Sequence, residues 1–128
     1  MRLLLDTHLL LWAAGTPKRL STAARKLIEA PDNALFFSVA SIWEVVIKRG
    51  LDRPDFQVDA HLLRRGLLDN GYTEQAITGA HVLAVESLPP LHKDPFDRML
   101  LAQATIEGMM LLTADANVAL YPGPVRKV

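Results

Sequence analysis

Short apolar runs of strand length alternate with longer stretches of helical spacing along this chain, and that alternation constrains its fold more than any other feature. Leu3–Leu5, Ala34–Phe37 and Met109–Leu112 are the clearest runs. Between and after them, helices are expected over His8–Ala14, from a Ser21 cap through Ala30, over Ser41–Arg49, Val58–Leu68, Gly79–Ser87 and Pro95–Glu107. Pro95 suits the first turn of the last of these, and Gly50 and Gly108 suit C-terminal ends. Asp52–Asp55 reads as a turn. Tyr72–Ile77 and Val125–Lys127 read as weaker strands. Short strands interleaved with helices imply an α/β protein with a parallel sheet covered on both faces. The chain has 128 residues and shows no repeat, linker or low-complexity tract, so residues 1–128 are expected to form a single domain.

In such a sheet, chemistry collects where the strands end, at the carboxyl edge. Asp6 directly follows Leu3–Leu5, and Asp115 follows Met109–Leu112 by way of Thr113-Ala114. Glu44 stands three residues after Ser41, and Asp97 stands three after Asp94 in Asp94-Pro95-Phe96-Asp97. Each acid alone has a plain structural use. Asp6 and Asp94 suit helix caps, Ser41 and Glu44 have capping-box spacing, Asp97 suits the positive end of a helix dipole, and Asp115 suits a turn beside Asn117. Together, two acids follow buried strands and two open helices, so all four are able to converge on one edge of one sheet. Clustered carboxylates repel one another and raise each other's pKa unless cations bind among them. Magnesium or manganese suits oxygen-only ligands, and such an ion activates water and steadies a phosphodiester under attack.

Composition narrows the classes. No cysteine is present, which excludes disulfides, thiolate nucleophiles and cysteine-based zinc sites and points to a reducing cytoplasm. Asp6 interrupts the N-terminal apolar run before a signal-peptide core or membrane span forms, so the expected protein is soluble and unexported. There is no glycine-rich phosphate loop. Fourteen basic and 14 acidic side chains give zero net charge, so no global basic field marks a nucleic-acid binder. If the four acids form one metal-neutralised cluster, the other 10 acidic groups face 14 basic ones, a balance of +4 that suits a polyanion.

Four segments occur in order: Leu4-Leu5-Asp6-Thr7-His8, Ser38-Val39-Ala40-Ser41-Ile42-Trp43-Glu44, His92-Lys93-Asp94-Pro95-Phe96-Asp97-Arg98-Met99-Leu100, and Leu112-Thr113-Ala114-Asp115. This set resembles the PIN-domain family in its VapC-like toxin branch, over nearly the whole chain. The resemblance implies a Rossmann-like three-layer α/β/α sandwich and a Mg²⁺- or Mn²⁺-dependent endoribonuclease. It also implies a homodimer inhibited by a small antitoxin whose C-terminal segment enters the acidic groove. It carries over Asp6, Glu44 and Asp97 as core metal ligands and Asp115 as the fourth acid, with Thr113 supporting. It leaves open whether one or two ions bind, and it leaves Asp94 open between cap and outer-shell ligand.

Arg98, Lys48 and His92 are candidate RNA contacts, each competing with a structural use. His8 reads first as a helix-start residue, and His61 and His81 as surface or structural residues without partner acids at metal spacing. Trp12 and Trp43 fall on apolar helix faces as core or dimer contacts. Two alternatives to the toxin stay open: a PIN-type nuclease of RNA processing without an antitoxin, and a non-catalytic RNA- or partner-binding module.

Overall fold

The computed structural model describes residues 1–51 and 53–128. Of the turn expected over Asp52–Asp55, Asp52 lies outside the described residues. Five strands, β1 (Arg2–Leu5), β2 (Ala34–Ser38), β3 (Thr73–Gln75), β4 (Met110–Thr113) and β5 (Val125–Lys127), form one sheet. The helices are α1 (Thr7–Gly15), α2 (Thr22–Glu29), α3 (Val39–Gly50), α4 (Ala60–Asp69), α5 (Gly79–Val85) and α6 (Pro95–Glu107). Two single 3-10 turns, Pro17–Arg19 and Val118–Leu120, complete the path.

The strand order is β3-β2-β1-β4-β5 and every pairing is parallel. The chain therefore builds outward from β1 in one direction, then returns to lay β4 on the other side of β1. The crevice beyond the carboxyl ends of β1 and β4 is the topological switch point of the sheet, where open α/β folds bind ligands. Leu5 pairs with Leu112 at that end, so Asp6 and Thr113 leave the sheet as neighbours.

Alternation along the central strands divides the core. Leu3 and Leu5 of β1 and Leu112 of β4 pack with Leu9, Leu10, Val45, Leu63 and Leu67 of α1, α3 and α4. Leu4 and Leu111 point to the opposite face and pack with Leu100, Leu101 and Ala104 of α6. Leu3, Leu4, Leu5, Leu111 and Leu112 are all wholly buried, and each such side chain contributes about 1.5–3 kcal/mol of transfer free energy. A carboxylate placed at the end of such a strand starts from a rigid, dry base.

Helix boundaries follow local chemistry. The Ser21 hydroxyl accepts the Ala24 N–H at the start of α2. Asp94 Oδ1 accepts the N–H groups of Phe96 and Asp97, with Pro95 at the first position of α6. Gly108, at φ 68°, ends that helix in the left-handed conformation and turns the chain directly into β4. Helix α3 departs from expectation. Ser38, not Ser41, is its cap, accepting the Ala40 N–H at 3.0 Å, so Ser41 lies inside the helix. The start moves three residues earlier because β2 runs through Ser38, which pairs with Gln75, and the chain turns into helix at once.

Candidate active site

A cleft of about 130 Å³ opens at the carboxyl edge of β1 and β4. Asp6, Glu44, Asp94, Asp97 and Asp115 line it, together with Thr7, His8, Lys48 and His92. The four acids singled out from the sequence thus meet in one place, delivered by the end of β1, the middle of α3, the first turn of α6 and the loop after β4.

Neighbouring polar groups fix each carboxylate. Asp6 caps α1, its Oδ1 accepting the Leu9 N–H at 2.9 Å, while Oδ2 accepts the Thr113 hydroxyl at 2.6 Å. The cap and the site residue are one and the same. Glu44 Oε1 accepts the Thr7 hydroxyl at 2.7 Å, and Oε2 pairs with Lys48 Nζ at 2.7 Å one helical turn away. The Thr7 and Ser41 hydroxyls lie 2.9 Å apart, and since a carboxylate only accepts, the Thr7 proton goes to Glu44 and Ser41 supplies the second proton. Glu44 is therefore no capping-box residue; with Ser41 moved inside α3, it points from the helix face into the cleft.

Asp97 Oδ2 lies 2.9 Å from His92 Nε2. Asp115 Oδ1 accepts the Asn117 N–H at 2.8 Å, and the Thr113 hydroxyl accepts the Asp115 N–H at 3.0 Å. One threonine thus orients both a ligand candidate on β1 and the loop that carries the fourth acid. Among the described residues, no hydrogen bond takes up the second oxygen of Asp94, Asp97 or Asp115.

Burial and crowding show in the titration of the cluster. Asp6 is 4% exposed, and desolvation raises its pKa against the lowering effect of the Thr113 and Leu9 hydrogen bonds. Asp97 is pushed up to about 6, chiefly by desolvation, then by the charges of Asp94, Asp6 and Glu44; the His92 contact opposes this. Lys48 is the one cation whose ion pair with these acids is formed directly by a lysine or arginine among the described residues. Oxygen donors held together at a raised energy, with several oxygens unspent, fit a hard divalent cation.

The remaining candidates are sorted by their contacts. His92, partly exposed, lies against Asp97. His8 lines the rim, exposed on α1 beside Trp12. Arg98 leaves the site altogether: Nη1 donates to Pro89 O and the Tyr121 hydroxyl, and Nη2 donates to Val85 O and Leu88 O. In place of a contact with phosphate it forms a brace between α6 and the chain from the end of α5 to Pro89. His81 takes the structural one of its two expected places. It is fully buried and its Nε2 lies 2.7 Å from Glu107, a partner acid 26 positions away that no local spacing reveals. Sequence reasoning missed Thr7, Ser41 and Tyr121. Thr7, adjacent to Asp6, and Ser41, one turn before Glu44, carried a usable signal in their spacing; Tyr121 carried none.

The PIN domain family matches the chain over residues 3–123, and the chain belongs to that family, whose members are nucleases. No curated protein matches it by sequence. Among solved structures, it is similar to a chain of VapBC2 from Rickettsia felis bound to a DNA fragment from their promoter. That likeness has TM-score 0.74 and 13% identity, and covers 100% of this chain and 99% of the other. It is similar to a chain of a toxin–antitoxin complex from Klebsiella pneumoniae, with TM-score 0.62, 20% identity and coverage of 96% and 94%. It is also similar to a chain of VapBC-1 from nontypeable Haemophilus influenzae, with TM-score 0.59, 17% identity and coverage of 93% and 90%.

Proposed function

We propose that this protein is a divalent-metal-dependent endoribonuclease and the toxin of a toxin–antitoxin pair. The observation that carries the catalytic reading is the meeting of Asp6, Glu44, Asp97 and Asp115 in one cleft at the switch point of the sheet. Asp6, Glu44 and Asp97 would hold Mg²⁺ or Mn²⁺, with Asp115 as the fourth acid. Bound there, the cation would supply a Lewis acid that activates water and stabilises charge on a phosphodiester.

The chain's own groups do the positioning. Thr113 holds Asp6, Thr7 holds Glu44, and His92 holds Asp97, so three carboxylates are aimed before any ligand arrives. Lys48 neutralises Glu44, and its Nζ is free to turn toward a phosphate once Glu44 has another partner. Asp94 serves first as the cap of α6, and among the described residues no hydrogen bond takes up its second oxygen.

Two surfaces support the proposed partners. A cleft of about 820 Å³ between α1 and α4 has apolar walls including Leu11, Trp12, Phe56 and Leu62, and it shares His8 and Lys48 with the acidic cleft. A peptide segment lying there would reach the acids with a basic side chain, as an inhibitory antitoxin requires. The VapBC and toxin–antitoxin assemblies among the structural neighbours support that partner. Trp43, Val82 and Leu83 expose 58%, 53% and 71% of their surface on α3 and α5, an apolar face suited to a homodimer. An RNA substrate and an antitoxin partner are consistent with action in the cytoplasm; among the described residues no helix is long and apolar enough to cross a membrane.

The test is incubation of the purified protein with total RNA, with and without Mg²⁺ or Mn²⁺, followed by mapping of cleaved ends. Internal cuts that need the cation and stop in EDTA are expected. Undiminished cutting after thorough chelation would overturn the metal reading. Binding of RNA or a partner protein with no cutting at any metal concentration would favour a non-catalytic module. Inhibition of cleavage by the product of a short adjacent reading frame separates a toxin from a nuclease of RNA processing.

A further inference from the structure

The acids of the cleft are all oxygen donors, yet its wall also carries two imidazoles, His8 and His92. His92 Nε2 lies 2.9 Å from Asp97 Oδ2, and donor atoms of His92, Asp94 and Asp97 all lie within 4.8 Å of one another. Two adjacent ligand atoms of an octahedral ion, each about 2.1 Å from the metal, stand about 3.0 Å apart. The His92–Asp97 separation already has that value. Asp94 Oδ1 is spent on capping α6, and no hydrogen bond among the described residues takes up its Oδ2.

The imidazole is also held in place. The Tyr121 hydroxyl accepts the His92 N–H at 2.8 Å and donates to the His92 carbonyl at 3.0 Å. Tyr121 is 3% exposed, and Arg98 Nη1 donates to its hydroxyl at 3.1 Å while the guanidinium ties down three carbonyls of the preceding loop. A buried tyrosine and a fully engaged arginine thus fix the backbone of one partly exposed histidine. With its backbone fixed, the imidazole has few ways to approach the cleft, which suits a preorganised ligand.

We propose that His92 is a nitrogen ligand of the divalent centre, forming with Asp94 and Asp97 a mixed nitrogen–oxygen position beside the oxygen donors Asp6, Glu44 and Asp115. This rests on the metal-dependent reading above and deepens it. An imidazole donor favours transition-metal ions over magnesium, so His92 sets which cation the site selects.

The test is pulsed EPR of Mn²⁺ bound to the full chain, with Mn²⁺ and Mg²⁺ affinities measured by competition. The expected spectrum shows ¹⁴N modulation from a coordinated imidazole. The modulation disappears in His92→Ala and persists in His8→Ala, the other histidine on the cleft wall. Affinity for Mn²⁺ falls about tenfold in His92→Ala, and affinity for Mg²⁺ falls much less. His92→Gln, which keeps a hydrogen bond to Asp97 without the imidazole nitrogen, loses the modulation as well and serves where the alanine variant does not fold. Tight Mn²⁺ binding without nitrogen modulation overturns the proposal and leaves the metal-dependent reading standing. So does modulation lost in His8→Ala instead, or an equal fall in both affinities, which marks His92 as an orienting residue alone. Failure of the wild-type chain to bind either cation overturns both.

Discussion

The Thr113 hydroxyl donates a 2.6 Å hydrogen bond to Oδ2 of Asp6, joining residues 107 positions apart at the ends of two neighbouring strands. The bond lowers the pKa of a carboxyl that burial otherwise raises, so it keeps Asp6 competent to bind a cation. Thr113→Val removes this donor and also the acceptor of the Asp115 N–H while keeping the shape of the side chain. We expect Mn²⁺ affinity to fall about 10–100-fold, as for other residues that orient ligands. The deficit should be largest at acid pH, where an unsupported Asp6 is protonated. Titration calorimetry at two pH values checks this; unchanged affinity would detach Thr113 from the site.

Asp97 sets two effects against each other. A negative charge in the first turn of α6 gains about 0.3–1 kcal/mol from the helix dipole. A carboxyl raised from 3.8 to about 6 loses about 2–3 kcal/mol in its ionised form, so burial and repulsion win. Because the folded-state pKa is the higher one, the stabilising contribution is fully present below pH 3.8 and is lost as pH rises through about 6. Asp97→Asn should therefore raise the melting temperature of the EDTA-treated protein at pH 7.5, with the gain vanishing toward pH 4. The same variant should lose RNA cleavage. A metal-free variant less stable than wild type at pH 7.5 would contradict the balance.

Arg98→Ala should act on stability before anything else. Its guanidinium donates to three carbonyls and the Tyr121 hydroxyl, of which Pro89 O and Val85 O also accept a backbone N–H, and the loss is expected to cost about 1–3 kcal/mol in urea unfolding. Lysine is a poor replacement, because a single ammonium cannot reproduce the planar fork. Full stability in Arg98→Ala would return this residue to the list of RNA contacts.

Lys48→Ala tests the opposite kind of residue. Its ion pair with Glu44 is partly exposed, so stability should change by less than about 1 kcal/mol. If Lys48 turns toward phosphate when RNA binds, the variant binds RNA more weakly. Its log Kd against log salt should then be shallower by about 0.7, the loss of one phosphate contact to a single strand. An unchanged slope would confine Lys48 to its pairing with Glu44.

Much of this protein was legible before any coordinates. The run Leu3–Leu5 ending in Asp6 places an acid at a strand end, because an apolar run this short suits a buried strand better than a helix. Asp94-Pro95 opening α6, with Gly108 closing it, fixed that helix at both ends, since cap and proline preferences act within one turn. Ser38 and Ser41 both suit the cap of α3 by residue type, and only the length of β2 decides between them.

Local sequence thus determined the alternation of strands and helices, and with it which acids stand at strand ends and helix starts. Those features depend on side-chain entropy, capping and periodicity over a few residues. The order β3-β2-β1-β4-β5 was decided only in three dimensions, and with it the meeting of Thr113 with Asp6, of Thr7 with Glu44, of Tyr121 with His92, and of His81 with Glu107. Each of these pairs depends on which buried faces pack together, and hydrophobic burial is non-directional, so it leaves no mark in the spacing of the residues it brings into contact.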